Sequence, residues 1–262
     1  MIVLPESIKK LIGNEGYSID KVGMSTSTVI LFKDKILKIQ ESHEEWDNEY
    51  NMMKWLQGKL PVPKVLGFER ENGKDFLLMT KIPGEMSCDH QYMKDPVLLT
   101  TILAEALQML WKVDISNCPY SCNLEKKLHR AKYAIDHNLV DMDDVEGDTF
   151  GEKGFKNPND LLEWLIANKP EEELALSHGD FCLPNIFLLN KKVSGFIDLG
   201  NAGIADKWQD IALCYRSLLH NFHGKYTEKT YDGFKKDLLF EKLGIEPDWN
   251  KIRYYILLDE LF

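Results

Sequence analysis

The 262-residue chain predicts a bilobal α+β protein, with a small antiparallel-sheet lobe carrying one helix followed by a larger, mostly helical lobe. Three observations carry this reading. Short apolar runs separated by turn residues fill the first eighty positions. From about Pro96 the apolar spacing becomes helical. Between the halves stands Lys81-Ile82-Pro83-Gly84, and a Pro-Gly pair is a natural connector. The expected division is residues 1–80, a hinge at 81–84, and a second lobe over 85–262.

In the first lobe, Thr28–Phe32 (TVILF) and Ile36–Gln40 (ILKIQ) flank a Lys33-Asp34-Lys35 turn. Lys64–Glu69 and Phe76–Thr80 flank Glu71-Asn72-Gly73, a strong hairpin signal. Residues 44–57 predict a helix, because Trp46, Tyr50, Met53 and Leu56 recur along one face. Glu49 falls on that same face, where a carboxylate is costly unless paired. Lys38 stands among Ile36, Leu37 and Ile39 on the preceding strand. An ion pair between Lys38 and Glu49 accounts for both; the alternative places Lys38 in solvent and Glu49 at the edge of the stripe. Ahead of them, Gly23-Met24-Ser25-Thr26-Ser27-Thr28 reads in isolation as a polar turn, with neither G-x-G-x-x-G nor a P-loop pattern. In the second lobe, helices are expected at 97–113, 123–138, 158–168, 208–222, 227–243 and 248–261.

The chemistry concentrates in Ser177–Gly200, SHGDFCLPNIFLLNKKVSGFIDLG. Asp180 follows His178-Gly179, Asn185 lies five residues on, and Asp198 precedes Leu199-Gly200 thirteen residues further. A kinase catalytic loop has this layout: one Asp orients the attacking hydroxyl and accepts its proton, an Asn holds a Mg²⁺, and a second Asp holds the metals that bridge the ATP phosphates. The apolar runs 185–189 and 193–197 flank Asn190-Lys191-Lys192, so a hairpin would bring Asn185 and Asp198 together at its open end. The competing interpretation is a surface turn with solvated carboxylates. His178 is expected to brace the loop by hydrogen bonding, without acting as a second base.

Composition narrows the partners. The net charge of −10 argues against nucleic acid, which requires a basic face, and suits a cationic ligand or an ordinary solvated surface. No stretch approaches a membrane span, and MIVLPESIKK does not read as a signal peptide. The cysteines at 88, 118, 122, 182 and 214 form no metal pattern, so reduced thiols in a cytoplasmic protein are expected.

HGDFCLPNI, GFIDLGNAGIADKWQDIAL, WLQGKLPVPKVLGFE and YYILLDELF together resemble the aminoglycoside 3′-phosphotransferases (kanamycin kinases), a branch of the protein-kinase-like fold. The resemblance spans nearly the whole chain. It implies ATP and Mg²⁺ as cofactors and a small aminoglycoside as partner, in a monomer or weak homodimer. It implies Asp180 as catalytic base and Asn185 and Asp198 as metal ligands. On the nucleotide side it implies Lys38 with Glu49, Ser25 in the loop, and the backbone of Met79 to Lys81 at the adenine edge. Asp259, Glu260 and the carboxylate of Phe262 would hold the substrate's amines, with Arg216 retained nearby.

The acidic stretch 141–152, with Glu146 and Asp148, resembles the substrate loop, although a solvated linker explains its composition equally well. Glu171-Glu172-Glu173, just before the catalytic strand, adds carboxylates that suit a cationic ligand, with a solvated linker as the favoured reading. Asn201 stands where the family usually has Arg, and Ile36 where some members have an aromatic ring over adenine, which leaves GTP open as a donor. Two rivals remain: a kinase for another hydroxylated metabolite, and a non-catalytic nucleotide-binding relative.

Overall fold

The structure, a computed structural model, describes residues 3–19, 27–42, 44–143, 145–152, 154–227 and 229–262, by backbone alone over 44–47. Its first part is an antiparallel sheet of β1 (Ser18–Ile19), β2 (Thr28–Leu31), β3 (Lys35–Glu41), β4 (Val65–Glu71) and β5 (Lys74–Thr80), in the order β1-β2-β3-β5-β4. The tight β4–β5 turn uses Asn72 (φ 53°) and Gly73 (φ 74°), the two left-handed residues that such a hairpin needs. Ser25, expected in the nucleotide loop, lies outside the described residues, as do its neighbours from 20 to 26.

Strand alternation sorts the side chains of this sheet. Leu37, Ile39, Phe76 and Leu78 face one way and form a compact cluster with Ile8 and Ile12. Those two isoleucines belong to α1 (Glu6–Ile12). The sequence reading expected one helix in this lobe; α1 is a second, too short for periodicity to reveal, and it covers the outer face of the sheet. Ile36, Leu77 and Met79 face the other way and join the large core together with Met52, Met53 and Leu56 of α2 (Glu44–Leu56). Lys38 shares this inner face with Ile36.

After the connector come β6 (Glu85–Met86), α3 (His90–Met93), α4 (Pro96–Trp111), α5 (Leu124–Asp136), α6 (Pro158–Ala167) and β7 (Leu174–Ser177), then β8 (Ile186–Leu189), β9 (Lys192–Phe196), β10 (Gly203–Asp206), α7 (Lys207–Phe222), α8 (Leu238–Leu243) and α9 (Trp249–Asp259). Asp95, Asn123 and Asn157 cap α4, α5 and α6 by accepting N–H groups of their first turns. The helix expected over 227–243 is confined to α8. Gly233, at φ 88°, breaks it, and the irregular chain before α8 instead stacks Phe234 on Phe222 at 4.7 Å.

Two pairings position the site. β7 runs antiparallel to β10, with Ser177 opposite Gly203, which sets the His178-Gly179-Asp180 turn beside the chain leaving Asp198. β8 and β9 form the expected hairpin, with Ile186 opposite Phe196, and Asn190 and Lys191 both take positive φ at its turn. Ile197 N–H donates to the Asn185 carbonyl at 3.0 Å, closing the hairpin's open end.

The connector is clamped to this hairpin. Ser194 Oγ donates to Pro83 O at 2.6 Å, and Gly84 sits at φ 102° against β8. A Cβ at Gly84 would lie 2.2 Å from Leu188 O, a backbone atom that cannot swing away. Gly84→Ala is therefore expected to destabilise the fold by about 2 kcal/mol or more, from strain and clash together. Thermal unfolding of the variant, with an unchanged Tm as the contrary outcome, checks this.

Candidate active site

A buried aspartate from α7 shapes the loop that carries Asp180. Asp210 is fully buried and accepts from Ser177 Oγ (2.9 Å), His178 N (2.7 Å) and Gly179 N (3.0 Å). Burial pushes its carboxyl up, and the donors and His178 pull it back. Gln209 Nε2 donates to Gly179 O at 2.9 Å. Gly179 has φ 83°, and a Cβ there would lie 2.0 Å from Asn201 O, so only glycine fits the turn. His178 is buried, and its Nε2 lies 2.9 Å from Ile197 O. It ties the Asp180 turn to the Asp198 segment, as the bracing role requires.

Asp180 leaves this turn half-buried, with a donor on each oxygen. Asn185 Nδ2 donates to Oδ2 at 2.9 Å and also to the Asp180 carbonyl at 3.0 Å. Cys182 Sγ donates to Oδ1 at 2.9 Å. Burial, followed by the charge of Asp180, pushes the Cys182 thiol well up, so it remains protonated. Both bonds of Asn185 use its NH₂ group, which leaves the amide oxygen as the end available to a cation.

Lys38, Glu49 and Asp198 close the opposite side. Lys38 Nζ lies 3.1 Å from Glu49 Oε2 and 2.8 Å from Asp198 Oδ1. The ion pair expected between Lys38 and Glu49 is thus present, and Asp198 makes it a triad. Burial alone would lower the Lys38 ammonium, but the two carboxylates outweigh it and hold it above its ordinary value. Burial pushes the 3% exposed Glu49 up, and Lys38 opposes that. Asp198 keeps 45% of its side chain open to solvent; burial works to raise it, and Lys38 holds it below the usual carboxylate range. Its φ of 59° is unusual for a residue with a Cβ, and strain of this kind gathers at functional positions.

Sequence reasoning missed Asn48. It lies beside Glu49, buried, and its Nδ2 donates to Gly200 O (2.7 Å) and Ala202 O (2.8 Å). It anchors α2 to the segment after Asp198. A polar residue on a predominantly buried helical face was its only signal.

At the adenine-edge segment, Met79 lies within β5 and is buried. The Lys81 N–H donates to Asp34 O at 2.9 Å, so Lys81 offers a ligand its carbonyl and not its amide. β3 pairs with β5 up to Thr80, which brings Asp34 beside Lys81.

The acidic residues at the end of α9 gather around Arg216. Its guanidinium binds Asp259 Oδ2 directly and lies 3.4 Å from Glu260 Oε1. Glu260 Oε2 accepts the Glu146 N–H at 2.7 Å, which brings the 141–152 loop onto the end of α9. The Glu146 carboxylate meets His220 Nε2 (2.8 Å) and Lys225 Nζ (3.1 Å). Asp148 lies exposed in the same loop. The Phe262 ring has Lys127 Nζ 5.7 Å and Arg130 5.3 Å from its centroid, and Arg130 Nη1 also donates to Asn201 Oδ1 at 3.0 Å. The end of the chain therefore sits among cations as well as acids.

Glu171–Glu173 belong elsewhere. Glu172 accepts Leu124 N–H at the start of α5, and Glu173 is bound by Lys207, Trp208 and Lys251, with Lys207 foremost in pulling it down to about 2. They line a cavity of about 860 Å³ between α6 and α9 that shares no residue with the Lys38–Asp180 cleft.

A family model described as a phosphotransferase enzyme family, APH, matches residues 20–255. The chain belongs to the APH phosphotransferase enzyme family. It is 42% identical to an aminoglycoside 3′-phosphotransferase of Enterococcus faecalis, covering 100% of this chain and 99% of that protein. It is 41% identical to an aminoglycoside 3′-phosphotransferase of Staphylococcus aureus, over 100% and 99%. Among solved structures, an aminoglycoside phosphotransferase of Streptomyces rimosus superposes with a TM-score of 0.81 at 22% identity, covering 97% of this chain and 95% of that one. These matches establish the phosphotransferase fold, with an antiparallel sheet joined to a mostly helical lobe. Among the described residues, no helix is long and apolar enough to cross a membrane.

Within this APH phosphotransferase, Glu260 is an unusual carboxylate. Its side chain is 2% exposed, and burial pushes it up to about 7 despite the N–H of Glu146 and the charge of Arg216. A folded value above the unfolded one means that the native state binds the extra proton. Stability therefore falls as pH rises from about 4.5 to about 7 and is level above that. Glu260→Gln, which keeps an acceptor for Glu146 N–H, should raise Tm relative to the parent more at pH 8 than at pH 5. Paired melts at the two pH values measure this, and a gain independent of pH would contradict it.

Proposed function

We propose that the protein transfers the γ-phosphoryl group of ATP to the 3′-hydroxyl of 2-deoxystreptamine aminoglycosides of the kanamycin and neomycin type. The observation that carries this is the juxtaposition of two unlike charge environments around one carboxylate. On one side of Asp180 stand Asn185, Asp198 and the Lys38 triad, suited to a nucleotide and metal. On the other, Asp259 and Glu260 gather around one guanidinium, suited to an acceptor bearing several ammonium groups. A carboxylate held near 7 in a site costs stability, and an arriving cation offsets that cost. The relatives at 42% and 41% identity, which cover the full chain, favour the same acceptor class.

In this reading Lys38 grips the α- and β-phosphates, and Glu49 keeps its ammonium in place. The donor set fits a hard divalent cation, since the Asn185 amide oxygen and the Asp198 carboxylate are both oxygen ligands at the mouth of one hairpin. Mg²⁺ held there would neutralise charge on the phosphates. Asp180 orients the acceptor hydroxyl and takes its proton as the oxygen–phosphorus bond forms and ADP leaves, so most of the acceleration comes from positioning and charge compensation. In a cell, a dianionic group on the amino sugar would spoil its fit to RNA phosphate, and resistance would follow.

Asp180→Ala should abolish turnover, with a loss of at least about 10²-fold, while the fold is retained. Release of ADP from Mg-ATP in the presence of kanamycin or neomycin, with this variant as control, tests the proposal. Turnover on neither antibiotic, with nucleotide binding intact, would point to a different acceptor.

A further inference from the structure

Asp180 has two carboxylate oxygens, and the structure gives each a different keeper. Oδ2 is held by Asn185 Nδ2 at 2.9 Å. Asn185 is in turn fixed by its second bond to the Asp180 carbonyl, so this side of the carboxylate is locked toward the metal end. Oδ1 is held at 2.9 Å by the thiol of Cys182, two residues along the loop. Cys182 lies in a rigid setting: its N–H donates to Asp180 O (2.9 Å), and its carbonyl accepts from Asn185 N (3.0 Å). The flanking Phe181 and Leu183 are fully buried. Besides Asp180, the charges close enough to act on the thiol are Asp259 and Arg216, both in the acceptor cluster. The thiol therefore holds the oxygen of Asp180 that Asn185 does not.

We propose that Cys182 is a positioning residue for phosphoryl transfer, its thiol fixing the rotation of the Asp180 carboxylate and marking, at Oδ1, the point where the acceptor hydroxyl donates. The carboxylate oxygen has lone pairs for both donors, so the thiol remains bonded as the hydroxyl arrives. No sulfur chemistry is involved. The acceptor's proton passes to Asp180, its oxygen takes the phosphoryl group, and ADP departs. Without the thiol, rotation of the Asp180 carboxylate about its last side-chain torsion, which is broad for a carboxylate, is restrained by the Asn185 bond alone. Misplacement of a base by a fraction of an ångström slows transfer without weakening nucleotide binding.

The inference rests on Asp180 being the base in the proposed reaction. It is tested with Cys182→Ala and Cys182→Ser in the full-length chain, measuring kcat and KM for ATP with kanamycin, acceptor-free ATP hydrolysis, and Tm. Cys182→Ala should lower kcat about tenfold and hydrolysis in parallel, leaving KM for ATP and Tm within about twofold and about two degrees of the parent. Cys182→Ser, which restores a donor, should recover most of the loss. Unchanged kcat and hydrolysis in Cys182→Ala would overturn the proposal. So would a serine variant as impaired as the alanine one, because that pattern belongs to packing. A parent enzyme inactive on kanamycin would instead refute the acceptor assignment, and the hydrolysis ratio would still decide the role of Cys182.

Discussion

The site depends on one ammonium group held between two carboxylates that are far apart in sequence. Lys38 on β3 reaches Glu49 on α2, eleven residues on, and Asp198 beyond β9, a separation of 160 residues. Taking such charges out of water is expensive, and removing any one of them would leave the others uncompensated. The triad is thus a constraint on register more than a source of stability. It requires the inner face of the sheet, α2 and the β8–β9 hairpin to meet at one point. Asn48 adds a second tie between α2 and the same segment through two carbonyl oxygens.

The opposite wall obeys a different charge logic. Around Lys38 one cation meets two carboxylates closely, whereas at the end of α9 a single guanidinium is shared. Arg216 serves both Asp259 and Glu260, and burial works against the ionisation of Glu260. Glu146 is already bound by His220 and Lys225. The 141–152 loop is therefore held to the body through internal ion pairs, and the carboxylates nearest Arg216 form the part of the site where added positive charge gains most. Asp180 itself is held by Asn185 on one oxygen and by Cys182 on the other.

Legibility in the sequence followed the range of the interaction. The Asn72-Gly73 hairpin and the β8–β9 hairpin are written in local residue chemistry, and they formed where turn signals stood. α1 was missed because seven residues give no sustained period. The helix over 227–243 was overextended because its apolar residues keep a helical spacing, while the left-handed Gly233 interrupts the backbone. Lys38 and Glu49 could be paired in advance because each was anomalous alone, a charge among apolar neighbours. Asn48, Asp210 and Gln209 gave no comparable signal, since a polar residue in a helix acquires meaning only from what it faces.

By itself, the sequence determined the two-lobed class and the triplet Asp180, Asn185 and Asp198, because spacing within one short segment is a local property. It also carried the family, whose motifs are contiguous words. Tertiary structure alone decided which carboxylates are paired, buried or left in solvent. Glu173 is drawn away by Lys207, Trp208 and Lys251, Asp148 stands in solvent, and Glu260 is buried beside Arg216. An acidic residue is the same letter in all three places; desolvation and the distance to a cation, set by packing between distant segments, make it an anchor, a surface charge or a buried acid.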